Sequence, residues 1–276
     1  MIGLLCYNGK GVAKDFTKAM EWFLKANETG ESDALGIIGK MHYEGQGVVQ
    51  DYFMAMEWWL KASGTGDPKA MFNIAEMYQN GLGSDQDYSK AMGWYLKASG
   101  KGSEMAKCNI GRMYVYGIGA ERDYAKAMEW FLEASDAGVA ESYLEIGHMF
   151  REGQGVVKDS LRAVDWYLRA AAQGFVPAYT LLSDVYLGGV TVDKDYEEGE
   201  KWACKAIKEA ESWLNTPNGV YFCRRGCGES FKEAVEFKKK APLPFARTPQ
   251  SRSLSGDRFS TIAEHFSIGR AQISQK

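Results

Sequence analysis

A tryptophan recurs every 36 residues along most of this chain. The six occupy one repeat position and are Trp22, Trp58, Trp94, Trp130, Trp166 and Trp202. The residues around them recur as well, for example as KAMEWFLKA, KAMGWYLKA and KAMEWFLEA. Self-similarity at such a period is typical of stacked helical repeats, each of which packs against its neighbours. The chain is therefore predicted to be all-α, an α-solenoid of about six 36-residue helix-turn-helix repeats.

The repeat from Asp67 to Gly102 shows how one helix pair is expected to form. Pro68 suits the first turn of the first helix, where its missing N–H is not needed. Gly81 is predicted to end that helix in the left-handed conformation, and Gly83 to let the chain reverse. The second helix begins after Asp87, whose carboxylate is expected to accept hydrogen bonds from the free N–H groups of its first turn. Aspartate occupies the same position in the other repeats, at Asp15, Asp51, Asp123, Asp159 and Asp195.

The second helix of each repeat carries the tryptophan in an apolar stripe. Ala91, Trp94, Tyr95 and Ala98 lie at helical spacing, which predicts a buried face. The six tryptophans are therefore assigned to the structural core of the repeats rather than to a sugar or cation site. The Gly-x-Gly loops are interpreted as turns, because no strand precedes them and no Lys-Ser/Thr pair follows.

These motifs resemble the Sel-1-like repeat, a relative of the tetratricopeptide repeat. The pattern is nearly complete over residues 34–66, in Ala34, Ile38, Gly39, Gly45, Gly47, Val48, Asp51, Ala55, Trp58, Lys61, Ala62 and Gly66. The resemblance extends from residue 1 to about residue 211. It implies a right-handed α-α superhelix that acts as an adaptor in multiprotein assemblies, without naming a partner.

Three segments are predicted from where the repeat pattern weakens. Residues 1–213 form the solenoid, with a first repeat that is truncated because the chain starts inside its first helix, and a sixth that is an atypical cap. In that sixth repeat Thr191 replaces a loop glycine and Ala210 replaces the terminal glycine. Residues 214–240 form a divergent segment with a short helix, and residues 241–276 a disordered basic tail rich in Pro, Ser and Arg.

Candidate binding residues lie on the first helix of each pair, which lines the concave groove in the related tetratricopeptide solenoids. Positions facing away from the core are predicted to contact a partner: Lys40, Tyr43, Phe72, Glu76, Gln79, Arg112, Tyr116, His148, Arg151 and Asp184. Cys108 and Leu144 are included as equivalents of Phe72. Arg112, Tyr116 and Arg151 are expected to form a central anchor, since Tyr and Arg are enriched in interface hot spots. The alternative is that these are ordinary solvated helix positions.

No catalytic or metal site is predicted, and no cofactor. The histidines His42, His148 and His265 occupy different repeat positions, and no catalytic motif is visible. Cys223 and Cys227 form the one local cysteine pair, which supplies only half of a structural zinc site. Cysteine-rich Sel-1-like proteins linked to β-lactamase-like hydrolysis carry paired cysteines in each repeat, which this chain lacks. The chain is therefore predicted to be non-enzymatic, with a hydrolase as the weakest alternative.

The charge and the cysteines of the chain limit which partners and which location are expected. The net charge of −3 gives no reason to expect a specific nucleic acid. From Asn215 onward the chain has eleven Lys or Arg against five Asp or Glu, so this tail is expected to make at most weak contact with anionic surfaces. No apolar run reaches the roughly 20 residues of a membrane span. Five cysteines outside the repeat pattern favour a reducing compartment, so a cytoplasmic location is predicted.

The function predicted from these features is a non-enzymatic scaffold that binds a protein or peptide in the groove of its repeats. A second candidate is a regulatory subunit. Sel-1-like proteins include activators of fungal chitin synthases and adaptors of ubiquitin ligases in ER-associated degradation. Those proteins usually carry a signal peptide, membrane helix or lipidation site, none of which is visible in this sequence.

Overall fold

The structure, a computed structural model, describes residues 2–30, 33–188 and 195–214. Within these residues it contains twelve α-helices and no strand, which confirms the all-α repeat fold. The chain divides into two compact units, Met1–Ser142 and Tyr143–Lys276. Of the predicted segments 214–240 and 241–276 only Leu214 is described, so both predictions, and the Cys223/Cys227 pair, lie outside the described residues.

Helices alternate with short loops through both units. The first unit contains α1 (Ile2–Asn8), α2 (Phe16–Glu28), α3 (Asp33–Glu44), α4 (Tyr52–Gly64), α5 (Pro68–Asn80), α6 (Tyr88–Gly100), α7 (Glu104–Tyr116) and α8 (Tyr124–Asp136). The remaining helices are α9 (Ala140–Glu152), α10 (Ser160–Ala172), α11 (Val176–Gly188) and α12 (Tyr196–Leu214). In the first unit each odd-numbered helix packs on the helix that follows it, and α11 packs on α12 in the second.

The predicted aspartate caps are confirmed in all six repeats. The carboxylate of Asp87 accepts a hydrogen bond from the Lys90 N–H at 2.9 Å, and the other five make the same contact three residues on. The N–H of Asp87 donates to the carbonyl of Tyr78 in the preceding helix at 2.9 Å. Asp87 thus ends the loop through its own N–H and starts the second helix through its carboxylate. The carboxylate does so because it accepts a hydrogen bond from an N–H that the first turn leaves without a partner.

The loop glycines adopt the conformations that the sequence predicts. Gly81 ends α5 in the left-handed region, with φ 65°. Gly83 also has a positive φ, and a Cβ atom there would lie 2.5 Å from the carbonyl oxygen of Tyr52 in the preceding repeat. The second glycine therefore has a packing role, since it lets each loop approach the start of the previous second helix.

The tryptophans lie less deeply than predicted. Trp22 is 40% exposed, so its assignment to the core is wrong, and the other five are half-buried. The deepest aromatic side chain is instead the next residue of each helix: Phe23, Trp59, Tyr95, Phe131 and Tyr167. Successive residues differ by about 100° around a helix, so only one of the two can point to the centre of the core. The indoles of Trp58 and Trp94 are covered by the ammonium groups of Lys61 at 4.2 Å and Lys97 at 4.0 Å.

Candidate protein-binding surface

One position on the first helices is polar in five successive repeats and changes its charge from repeat to repeat. The residues at this position, 36 residues apart, are Lys40, Glu76, Arg112, His148 and Asp184. Lys40, Glu76 and Asp184 are exposed, while Arg112 and His148 are half-buried. We call this set the variable position. Its side chains are accessible while the framework around them repeats.

In the first unit a buried tyrosine connects this position to its surroundings. The Tyr95 hydroxyl, on α6, donates a hydrogen bond to Oε1 of Gln79 on α5 at 3.0 Å. Burial raises the pKa of Tyr95, and the Glu76 carboxylate raises it further, while a hydrogen bond with Asn109 and the charge of Arg112 lower it. Arg112 donates to Oδ1 of Asn109 at 3.2 Å. The hydroxyl of Tyr95 therefore lies among polar side chains of both α5 and α7.

In the second unit Tyr167 takes the corresponding place. Its hydroxyl lies 3.1 Å from Nδ1 of His148 on α9, and the two rings meet edge to face. Burial raises the pKa of Tyr167 to about 12, against the opposing charge of Arg151. Arg151 itself pairs with Glu152 through a contact of 2.8 Å. As with Tyr95 and Gln79, the hydroxyl of a buried tyrosine thus contacts a polar side chain among the predicted binding residues.

The two carboxylates of the variable position share an unusual combination of exposure and desolvation. Glu76 and Asp184 are both exposed, yet surrounding protein atoms raise the pKa of Glu76 and raise that of Asp184 to about 6. Arg151 lowers the pKa of Asp184 but does not cancel the effect of burial. A carboxylate that is open to solvent but flanked by protein atoms loses part of its hydration, which favours its protonated form.

The remaining aromatic candidates differ in how much of the ring they present. Tyr116 is 60% exposed at the end of α7. Tyr43 and Phe72 are half-buried: Tyr43 packs on Trp59 with centroids 5.5 Å apart, and Phe72 meets Tyr95 edge to face at the same distance. Only Tyr116 therefore presents most of its ring to solvent.

The extension of the surface to Cys108 and Leu144 is wrong. Cys108 is fully buried and Leu144 is 1% exposed. Leu144 lies in the same apolar cluster as Tyr167, just as Phe72 packs against Tyr95. Cys108 and Leu144 are therefore removed from the accessible surface, whereas Phe72 at the same helix position keeps part of its ring exposed.

The proposed anchor of three residues stays a prediction. Arg112 and Tyr116 lie on α7 of the first unit, whereas Arg151 lies on α9 of the second. The sequence reasoning missed Tyr95, Tyr167 and Asn109, whose polar groups support the candidate side chains. A signal for the two tyrosines was present, because the residue after each of the first five tryptophans is aromatic.

Other kinds of site were searched for in residues 2–30, 33–188 and 195–214. No group of three or more His, Cys, Asp or Glu side chains there is arranged to hold a metal ion. None of the described helices is long and apolar enough to cross a membrane. The three described cysteines are unpaired, with Cys6 and Cys108 buried and Cys204 exposed. A cleft of about 370 Å³ lies among α1, α2 and α3, and none of the predicted binding residues lines it.

The helix pairs and their caps define an all-α helical repeat protein. The Sel1 repeat model matches residues 1–30, 32–65, 68–103, 105–139, 140–175 and 176–210. The chain belongs to the Sel1 repeat family, as the sequence pattern predicted. No curated protein of similar sequence was found.

Solved structures agree with this assignment. A Sel1 repeat protein from Oxalobacter formigenes is 31% identical in sequence and superposes with a TM-score of 0.70. The match covers 75% of this chain and 85% of the Oxalobacter chain. A protective antigen of uropathogenic Escherichia coli that displays an SLR fold is 26% identical, with 95% of this chain and 60% of that chain covered and a TM-score of 0.68. An immunity protein of Pseudomonas aeruginosa, 19% identical with 75% and 81% covered and a TM-score of 0.52, shares the fold.

Proposed function

We propose that this protein is a non-enzymatic scaffold that binds another protein or a peptide on the faces of its first helices. The observation that carries the proposal is the variable position, where accessible side chains of different charge are displayed by a framework that hardly changes. Interfaces gain specificity from such charge patterns, which favour one partner and repel others. Sel1 repeat proteins are generally scaffolds for protein interactions, which supports the same conclusion.

The polar groups behind these side chains favour a protein partner. The Tyr95–Gln79 and Tyr167–His148 contacts restrict side chains that would otherwise be mobile at the surface. Side chains that are held in place lose less entropy when a partner binds, so more of the contact energy appears as affinity. Regulation of an enzyme complex remains the second candidate for what the scaffold does, and the cytoplasmic location stays a prediction.

Cross-linking of the intact protein in extracts of its own cells tests the proposal. A photo-reactive residue that replaces Tyr116 is expected to cross-link a partner in the intact protein. A chain that ends at Trp213 and carries the same residue is expected to cross-link the same partner. The double variant Arg112→Glu/Arg151→Glu is expected to lose this capture. Lys101→Glu/Lys208→Glu makes the same change in net charge at exposed positions outside the first helices and is the matched control. Normal capture by the arginine variant, with its helix content unchanged, would rule out binding through this surface.

A further inference from the structure

Glu76 is a carboxylate without a cation. No hydrogen bond or ion pair joins it to any other residue that the structure describes, although the side chain stands exposed on α5. The cations at the variable position in the adjacent repeats have other contacts. Lys40 lies 3.9 Å from Glu44 on its own helix, and Arg112 donates to Asn109 at 3.2 Å.

The side chains that share the face of α5 with Glu76 include an aromatic ring and an amide. Phe72 lies four residues earlier on α5, and therefore on the same face of the helix. Its ring is half-buried against Tyr95, with centroids 5.5 Å apart. The proton of the Tyr95 hydroxyl is donated to Gln79, so it is not available to Glu76. Glu76 thus lies on one helix face with the ring of Phe72, four residues before it, and the amide of Gln79, three residues after it.

This environment favours a cation supplied from outside the protein. Surrounding protein atoms raise the pKa of Glu76 because they displace water from the charged form. A positive group placed beside the carboxylate would offset that loss, and its attraction is stronger where the effective dielectric constant is lower. The ring of Phe72 can cover the aliphatic stem of a long basic side chain, whose charged end stays at the rim.

We propose that Glu76 and Phe72 form a binding site on α5 for a basic side chain, arginine or lysine, of the partner protein. The site rests on the proposed scaffold function and names the chemistry that the first unit recognises. Arginine is expected to bind better than lysine, since its planar guanidinium can contact the carboxylate with two N–H groups and lie on the ring.

Asp184 provides an internal comparison. It occupies the variable position in the second unit, is exposed, and has a pKa raised by burial. Its surroundings differ, because the charge of Arg151 acts on it and Thr180 replaces the phenylalanine four residues earlier. The variable position of the second unit therefore lacks the pairing of a carboxylate with an aromatic residue that the proposed site on α5 has.

Nuclear magnetic resonance titration of the intact ¹⁵N-labelled protein tests the site. The probes are two blocked tripeptides, acetyl-Gly-Arg-Gly-amide and acetyl-Gly-Glu-Gly-amide. The arginine peptide is expected to shift the α5 amide signals around Phe72 and Glu76, and the glutamate peptide is not. Glu76→Gln should weaken binding of the arginine peptide by about fivefold, while Glu57→Gln, which removes the same charge at an exposed position on α4, leaves it unchanged.

Three results would overturn the site: equal shifts with both peptides, shifts elsewhere than α5, or unchanged binding by Glu76→Gln. Phe72→Leu keeps an apolar side chain and should weaken arginine binding less than Glu76→Gln does. Spectra of the free variants report on folding. If the arginine peptide fails to bind while the Arg112/Arg151 variant still loses the cross-linked partner, this inference is wrong and the scaffold function stands.

Discussion

The backbone of Gly39 lies directly against the indole ring of Trp59. A Cβ atom built on Gly39 would be 2.6 Å from both Cδ1 and Nε1 of the ring. The indole N–H donates to the carbonyl of Gly36, one turn earlier on α3, at 3.0 Å. The same approach recurs at Gly111 with Phe131 and at Gly147 with Tyr167. In these three repeats the glycine of the first helix leaves room for the buried aromatic residue of the second.

Gly39→Ala is expected to destabilise the protein by about 1–3 kcal/mol, because the added methyl group forces the indole or the helix to move. Gly93→Ala is the matched control. Gly93 lies inside α6, and no atom would be within 4 Å of its Cβ. There the better helix propensity of alanine should stabilise the protein by up to about 1 kcal/mol. Urea unfolding of both variants measures the difference, and a Gly39→Ala protein as stable as Gly93→Ala would contradict the packing argument.

The sequence predicts the framework well because its determinants are local. An aspartate cap and a left-handed glycine each act within a few residues, so Asp87 and Gly81 could be placed without knowing the neighbouring repeats. How deeply a side chain is buried is not determined by nearby residues in the sequence. Trp130 and Phe131 are adjacent and both aromatic, and only the packing of adjacent helices decides that Phe131 is fully buried while Trp130 is half-buried.

Alanine substitutions at these two positions test that distinction. Phe131→Ala is expected to cost about 3–5 kcal/mol, since it leaves a cavity in a closed core. Trp130→Ala removes a larger side chain but should cost less than half as much, because the space it leaves opens to solvent. Unfolding free energies of the two variants decide the order. A greater loss for Trp130→Ala would restore the tryptophans to the centre of the core.

The candidate surface could be predicted only in part. Helical spacing from the core correctly indicated that Lys40 and Glu76 are accessible. The same spacing failed for Leu144, because a position at the border between two faces is assigned by its neighbours rather than by its own helix. Side-chain hydrogen bonds between helices also cannot be predicted from one sequence. No local pattern shows that Tyr95 donates to Gln79, sixteen residues earlier.

Asp51→Ala tests the aspartate cap separately from its charge. The carboxylate accepts from the N–H of Met54 at 3.0 Å, and Met54 has no charge to complicate the comparison. Loss of the cap should cost about 1 kcal/mol of unfolding free energy, whereas Asp51→Asn, which also caps helices well, should cost little. Equal losses for both variants would mean that charge, not the hydrogen bond, stabilises α4.

Both Asp51 variants should also change the titration of His42. Burial lowers the pKa of this histidine, and the negative charge of Asp51 partly opposes that effect. Removing the charge should therefore lower the pKa of His42 further, and by the same amount with alanine or asparagine. Proton nuclear magnetic resonance of the imidazole follows this directly. A lower pKa in both variants, with reduced stability only in Asp51→Ala, would separate the two roles of the carboxylate.

The raised pKa of Asp184 predicts a defined pH dependence of stability. Burial raises this pKa to about 6, whereas an aspartate in the unfolded chain titrates near 3.9. Between these values the folded state holds more protons than the unfolded state, so stability decreases as pH rises. The contribution is fully present below about pH 4 and is lost as pH rises through about 6. Asp184→Asn lacks it, so its stability relative to the original protein should increase across that interval. Unfolding curves at several pH values between 3 and 8 measure the difference, and parallel pH profiles would show that Asp184 titrates normally.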